Sequence, residues 1–148
     1  MSQIHNGLYF IQKPGTSQVI TLHGAEDGTP ASLLPLGGNH GEQEWLVERS
    51  GDGGYTIKNP LTGKYLGFGG IPHPGEQIVA TSEPKEWGIR QCDEPFKFSI
   101  VVSGAPVPGA ELTIDILPIP MPPPPRLALT PWYPQDTHAA WEFKPLLR

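Results

Sequence analysis

The chain has 148 residues, a length that predicts one domain, covering 1–148, with a core of its own. Its formal net charge of −5 argues against nucleic acid or an anionic membrane as a partner, because both attract basic surfaces. Cys92 is the single cysteine, which excludes an intrachain disulfide, and the first residues show no signal-peptide pattern. These features favour a cytoplasmic, monomeric protein.

Glycine and proline punctuate the whole chain, with 18 Gly and 19 Pro. They separate short apolar alternations, a pattern that predicts many strands joined by many turns. The proline spacing leaves almost no room for a helix. In chain order, the predicted strands are 8–12, 19–23, 31–36, 44–49, 54–58, 64–68, 77–80, 86–91, 96–102, 111–117, 126–130 and 139–144. Pro35 predicts that the third of them is an edge strand.

One pattern of alternating apolar residues, a Trp-x-aliphatic or Trp-x-aromatic unit followed by a second strand, recurs three times. Its copies are Trp45-Leu46-Val47 with Tyr55-Thr56-Ile57, Trp87-Gly88-Ile89 with Phe98-Ser99-Ile100, and Trp141-Glu142-Phe143 with Tyr9-Phe10-Ile11. The last copy continues from the C-terminus to the N-terminus, which predicts a closed structure whose ends are neighbours. Three groups of four strands are too few blades for a propeller. The sequence therefore predicts an all-β fold, a β-trefoil of twelve strands in three four-strand lobes (7–50, 54–92 and 96–146) with pseudo-threefold symmetry.

Motifs for catalysis are absent from the sequence, which contains no HExxH, no phosphate loop and no Gly-x-Ser-x-Gly. The glycine-rich segment 67–70 opens no predicted helix, so phosphate binding is not expected there. The five histidines lie at unrelated turn positions without metal-ligand spacing, and we expect them to be solvated or locally hydrogen-bonded. Cys92 has no activating neighbour. We predict a non-enzymatic protein with no cofactor and no metal.

The aromatic-x-aliphatic opening and Trp-x-aliphatic close of each lobe resemble those of small fungal β-trefoil proteins, from Gly7 to Phe143. These proteins include the protease inhibitors of the mycocypin, cospin and cocaprin-like types, and the ricin-B-like lectins. The resemblance implies the trefoil fold. Because that fold hosts many unrelated functions, function has to be argued from particular loops.

The first functional hypothesis is reversible, non-covalent inhibition of papain-like cysteine proteases. In mycocypin-type inhibitors two first-lobe loops occlude the protease cleft, and the resemblance assigns this role to two segments here. Their residues are Pro14, Gly15, Thr16 and Ser17 in one loop, and Gly38, Asn39 and His40 in the other. Proline restricts a loop before binding, and glycine lets its backbone approach a catalytic residue. Both segments also fit ordinary hairpin turns.

Other protease classes are second choices. Aspartic proteases are a further expected partner, through an apolar proline-rich loop that contains Ile119, Met121 and Pro122. The same loop fits a stiff lid on the barrel or a ligand for a proline-binding domain. In cospin-like inhibitors the residue that binds serine proteases lies between the first and second lobes, and the resemblance places it in the turn at 50–53. This turn has no Lys or Arg at its tip, which argues against trypsin inhibition.

Carbohydrate binding is the alternative, ahead of a protein-interaction scaffold. Gln43-Glu44-Trp45 matches the Gln-x-Trp of ricin-type repeats, in which an acidic residue, a stacking aromatic and an amide of one lobe contact the sugar. Lobe one offers Asp27 and Asn39 for this role. Trp132-Tyr133 could stack on a sugar or cap the barrel floor.

Overall fold

The computed structural model describes residues 4–37, 40–51, 53–92, 97–102, 111–117, 124–131 and 140–146, and this part of the chain contains twelve strands. Lobe one holds β1 (Gly7–Gln12), β2 (Gln18–Leu22), β3 (Ala31–Pro35), a short helix α1 (His40–Gln43) and β4 (Trp45–Arg49). Lobe two holds β5 (Tyr55–Lys58), β6 (Tyr65–Gly67), β7 (Val79–Thr81) and β8 (Trp87–Gln91). Lobe three holds β9 (Lys97–Val102), β10 (Leu112–Ile116), β11 (Leu127–Pro131) and β12 (Ala140–Pro145).

The first and fourth strands of each lobe form a closed antiparallel barrel of six strands. β1 pairs with β4, β4 with β5, β5 with β8, β8 with β9, β9 with β12, and β12 returns to β1. In the closing pair, Ile11 lies opposite Phe143, so the two ends of the chain are neighbours. Closure removes the barrel's own sheet edges.

The second and third strands of each lobe form three hairpins, β2–β3, β6–β7 and β10–β11. Single β-bridges join the hairpins pairwise in a ring: Pro30 with Val79, Ser32 with Arg126, and Gln77 with Ala128. Barrel and hairpins together are a β-trefoil, as the sequence predicted.

Three tryptophans mark the pseudo-threefold axis. Trp45, Trp87 and Trp141 begin or nearly begin the fourth strand of their lobes, and all three are completely buried. Across the barrel register they face Tyr9, Tyr55 and Phe98. Each indole N–H donates to a carbonyl of the second strand of its own lobe, at 2.9 Å to Ile20, 2.9 Å to Leu66 and 3.1 Å to Ile114. The buried donors are therefore satisfied by one repeated contact, which confirms the relationship predicted from the sequence repeat.

Two details test the local predictions. Every observed strand lies within two residues of its predicted bounds, and β3, which contains Pro35, pairs along its length with β2 alone, as an edge strand does. The prediction of almost no room for a helix agrees with the described residues, whose one helix, α1, is a single turn in a segment without proline between Gly37 and Trp45. In the described residues, no helix has the length and apolar character needed to span a membrane.

Candidate functional site

The first predicted loop, Pro14 to Ser17, is a turn between β1 and β2 that is exposed from Gly15 to Ser17 and partly covered at Pro14. Gly15 has a φ of 77°, a left-handed conformation that side-chain-bearing residues rarely adopt. The Thr16 hydroxyl donates to the carbonyl oxygen of Lys13 at 2.8 Å and accepts from the backbone N–H of Gln18 at 3.1 Å. These bonds tie Thr16 to the residues on both sides of the turn.

The second predicted loop is described only at its flanks. Gly38 and Asn39 lie outside the described residues, and His40 is described by its backbone alone, as the first residue of α1. The backbone N–H of Leu36 donates to the carbonyl oxygen of Ser17 at 2.9 Å, so one flank of this loop adjoins the first loop.

The other predicted contact residues also lie outside the described part of the chain. They are Ile119, Met121 and Pro122 of the proline-rich loop, and the Trp132-Tyr133 pair.

An open cleft of about 470 Å³ lies between lobes one and two, and it is here called the Asp27 cleft. Lobe one contributes the β2–β3 loop, and lobe two contributes the end of β6, strand β7 and the β7–β8 loop. Its lining residues are Asp27, Gly28, Phe68, Gly69, Val79, Ala80, Thr81, Ser82, Glu83, Pro84 and Lys85. Its volume lies in the range typical of small-ligand sites.

Two residues that line one side of the cleft, Asp27 and Ser82, form a charged cluster with Lys64. Lys64 Nζ lies 2.8 Å from Asp27 Oδ1 and donates to Ser82 Oγ at 2.9 Å. The Ser82 hydroxyl lies 2.7 and 2.8 Å from the two carboxylate oxygens of Asp27 and donates to that carboxylate. The carboxylate keeps a side-chain exposure of 60%, which leaves lone pairs free for a ligand.

The electrostatics of the cluster favour an ionised Asp27. The hydrogen bond from Lys64, followed by that from Ser82, lowers the pKa of Asp27 below the ordinary aspartate value. The carboxylate is therefore an anionic hydrogen-bond acceptor at neutral pH.

Backbone bonds fix the two lobes against each other at this cleft. The N–H of Gly28 donates to the carbonyl oxygen of Ala80 at 2.9 Å. The N–H of Ala80 donates to the carbonyl oxygen of Thr29 at 2.8 Å. The hairpin loop carrying Asp27 is thus bonded to β7, and the carboxylate is positioned before any ligand arrives.

An aromatic ring and a lysine form the other side. Phe68 is 5% exposed and packs edge-on against Trp87, with ring centroids 5.8 Å apart. Lys85 Nζ lies 4.6 Å from the centroid of the Phe68 ring, within the range of a cation–π contact.

Each lobe has a different residue directly after the carbonyl that accepts the tryptophan N–H. These equivalent positions are Thr21 in lobe one, Gly67 in lobe two and Asp115 in lobe three. In lobe one, Gln43 Nε2 donates to Thr21 Oγ1 at 3.3 Å and to the carbonyl oxygen of Pro35 at 3.0 Å. Gln43 is only 4% exposed, so the Gln-x-Trp of lobe one has a structural role.

In lobe three the residue at this position, Asp115, forms an ion pair through its carboxylate. Lys13 Nζ lies 3.5 Å from Asp115 Oδ1 and 5.2 Å from the ring centroid of Trp141. Both charged side chains are largely covered, at 19% and 23% exposure. This pair binds the β1–β2 turn of lobe one to lobe three.

Metal binding receives no support from the described residues, where no group of three potential ligands among His, Cys, Asp and Glu occurs. His23 Nδ1 lies 3.0 Å from Glu42 Oε2, and His73 Nε2 lies 2.7 Å from Glu76 Oε1. Both histidine side chains are exposed; His73 is bonded locally, whereas the partner of His23 lies 19 positions away in α1.

Sequence reasoning identified Asp27 as a sugar-binding candidate but placed it in lobe one alone. It missed Ser82, which bonds to Asp27, and Lys85, which lines the same cleft. Both are near Asp27 only because the lobe-one hairpin packs on β7. Ser82 lies 55 positions from Asp27, so no local pattern indicates the contact. The spacing of Lys85 two positions before Trp87, which matches that of Gln43 before Trp45, was the available signal.

The fold and its threefold core define the chain as a β-trefoil protein. A family model described as ricin-type beta-trefoil lectin domain-like matches residues 2–81, and the chain belongs to this family. No curated protein matches the chain.

Solved structures of fungal lectins share the fold. The Macrolepiota procera ricin B-like lectin, in complex with lactose, is 24% identical with a TM-score of 0.78, covering 98% of this chain and 100% of the lectin. The Rhizoctonia solani agglutinin is 17% identical with a TM-score of 0.82, covering 99% of both chains. The Polyporus squamosus lectin, bound to Neu5Aca2-6Galb1-4GlcNAc, is 18% identical with a TM-score of 0.74, covering 98% of this chain and 51% of that lectin.

Proposed function

We propose that this protein is a carbohydrate-binding lectin and that the Asp27 cleft is its binding site. The observation that carries the proposal is the Asp27 cluster, where an exposed carboxylate and a hydroxyl line the cleft and both bond to the ammonium group of Lys64. This reverses the order of the two functional hypotheses drawn from the sequence.

The chemistry of the cluster suits a ligand rich in hydroxyl groups. A sugar hydroxyl donates one hydrogen bond and accepts others, so it can bridge an acceptor and a donor. Asp27 is the charged acceptor, and Lys64 and Ser82 are donors within 3 Å of it. Hydrogen bonds to a charged partner are about twice as strong as neutral ones, which favours the carboxylate as the anchor.

The comparisons support the same class of ligand. The chain belongs to a lectin-like family, and similar structures from Macrolepiota procera and Polyporus squamosus are complexes with saccharides. Because their identities are below 25%, they support the fold, and the choice of site rests on the cleft itself.

A glycan array tests the proposal. We expect the folded protein to bind a defined subset of glycans, and the heat-unfolded protein to bind none of them. Free sugar corresponding to the strongest hit should compete with the array. If the folded protein binds no glycan above the unfolded control, the proposed function is wrong.

Protease inhibition is a second candidate, favoured by one observation. The Pro14 to Ser17 turn is exposed and held in place by the Thr16 hydroxyl, as a loop that fills a protease cleft would need to be. Papain-like cysteine proteases are the first class to test, followed by aspartic proteases.

Ser17→Glu is the sharper variant for that test. If this loop inhibits papain, the added charge should weaken inhibition about tenfold or more, because an exposed contact becomes a buried, unpaired carboxylate. Stability should be kept, because the Ser17 side chain is exposed. Equal inhibition by wild type and variant would remove this loop from the inhibitory site, and a wild type that does not inhibit papain would end the hypothesis.

Gly15→Glu is a poorer choice for this test. Gly15 has a φ of 77°, a conformation that a glutamate rarely adopts. A side chain at this φ costs about 1–2 kcal/mol, so lower stability would confuse the measurement.

A further inference from the structure

Lys85 is a cation at the cleft that takes no part in the hydrogen bonds of the Asp27 cluster. Its ammonium group stands over the Phe68 ring at the wall of the cleft. Among the described residues, the ion pairs involve other cations, and Lys85 has no carboxylate partner. By contrast, the charge of Lys64 is offset by Asp27.

Gly67 makes the position of Lys85 possible. A Cβ atom at Gly67 would lie 2.8 Å from Lys85 Cγ and 2.9 Å from Thr81 Cγ2, closer than such atoms approach. The hydrocarbon part of Lys85 therefore packs over the bare backbone of Gly67. A side chain at Gly67 would displace Lys85 from the ring.

Lobes one and three show which residues occupy the positions equivalent to Gly67 and Lys85. At the position of Gly67, lobe one has the hydroxyl of Thr21 and lobe three has the carboxylate of Asp115. At the position of Lys85, two residues before the tryptophan, lobe one has the neutral and buried Gln43. Lobe two thus lacks the oxygen acceptor of the other lobes at Gly67, and it has a cation, Lys85, where lobe one has a neutral side chain.

The remaining charges of the cleft are compatible with an anionic ligand. The carboxylate of Asp27 is compensated by Lys64 at 2.8 Å. Glu83 is exposed on the rim, where water and salt screen its charge. Lys85 is partly covered, so its attraction for an incoming anion is screened less.

From these contacts, and resting on the proposed carbohydrate-binding function, we propose that the Asp27 cleft selects saccharides that carry a carboxylate. Lys85 is the specificity-determining residue: its ammonium group pairs with the sugar carboxylate, while Asp27 and Ser82 bind the hydroxyl groups. Uronic and sialic acids are the sugar classes with the required group.

Two glycans that differ only in the terminal sugar test this inference, one ending in glucuronic acid and the other in glucose. We expect the wild type to bind the acidic glycan about tenfold more tightly at low ionic strength, the effect of one charge-assisted hydrogen bond. The preference should shrink as salt is added. Lys85→Arg should keep the preference, whereas Lys85→Gln, which introduces the residue of lobe one, should abolish it.

Lys58→Gln is the matched control. Lys58 Nζ also stands over an aromatic ring, 5.7 Å from the centroid of Tyr65, but Lys58 does not line the cleft. This variant should have the wild-type preference. Melting temperatures of all variants verify that they are folded.

The possible outcomes distinguish a failure of this inference from a failure of the proposed lectin function. A Lys85→Gln variant with an unchanged preference overturns the role of Lys85. A wild type that binds neutral glycans of the array but does not prefer the acidic probe overturns the ligand class and leaves the lectin function intact. A wild type that binds no glycan at all overturns both.

Discussion

Replacing Trp45, Trp87 or Trp141 with alanine should lower the free energy of unfolding by about 3–5 kcal/mol in each case. All three indoles are completely buried, and each satisfies a carbonyl of the second strand of its lobe. Loss of one ring leaves a cavity and an unpaired carbonyl oxygen. Since a domain of this size is stable by about 5–15 kcal/mol, each substitution should remove a large part of the free energy of unfolding.

Urea denaturation followed by circular dichroism measures this effect. Leu61→Ala is a suitable control: Leu61 is 67% exposed, so its loss should change stability by less than about 0.5 kcal/mol. The pseudo-threefold symmetry adds a sharper requirement, namely that the three tryptophan variants have similar costs. A cost below about 1 kcal/mol for one of them would show that its lobe is not built like the other two.

Asp27→Asn should reduce the affinity for the strongest glycan of the array about 10- to 100-fold. Asparagine keeps the shape of the side chain but loses the charge that anchors a sugar hydroxyl, and it frees Lys64 from its ion pair. The melting temperature should change little, because the Asp27 side chain is exposed. Isothermal titration calorimetry measures the affinity.

Glu48→Gln is the matched control for this loss of charge. Glu48 is exposed on β4 and does not line the cleft, so its variant should bind with wild-type affinity. Undiminished binding by Asp27→Asn would place the glycan elsewhere on the trefoil and remove the Asp27 cleft from the proposal.

The same carboxylate predicts how binding depends on pH. Hydrogen bonds from Lys64 and Ser82 lower the folded-state pKa of Asp27 below its unfolded value. Its contribution to stability is therefore fully present above the unfolded pKa and is lost as the pH falls through the folded pKa. Glycan affinity should persist through the ordinary aspartate range and decline only at lower pH, a decline that Asp27→Asn should lack.

Local chemistry in the sequence determined the fold. Alternating apolar residues between Gly/Pro turns specified short strands, and the tryptophan repeat specified three equivalent lobes with a closing contact between the two ends of the chain. Both patterns can be recognised in the sequence because side chains in a strand alternate between two faces and because each lobe buries the same face. The exception was α1, where a single turn of helix leaves no periodic pattern to detect.

The candidate site was decided by tertiary structure. Asp27, Lys64 and Ser82 belong to different turns, and they meet only because a lobe-one hairpin is bonded to β7 of lobe two. Hydrogen-bond partners 37 and 55 positions apart cannot be inferred from one sequence, since their contact depends on how complete lobes pack. The sequence by itself therefore determined a threefold barrel and its buried aromatic residues. Only the packing of one lobe on the next produced the cleft with its charged cluster, which is the basis for proposing a lectin function ahead of the protease inhibition predicted first.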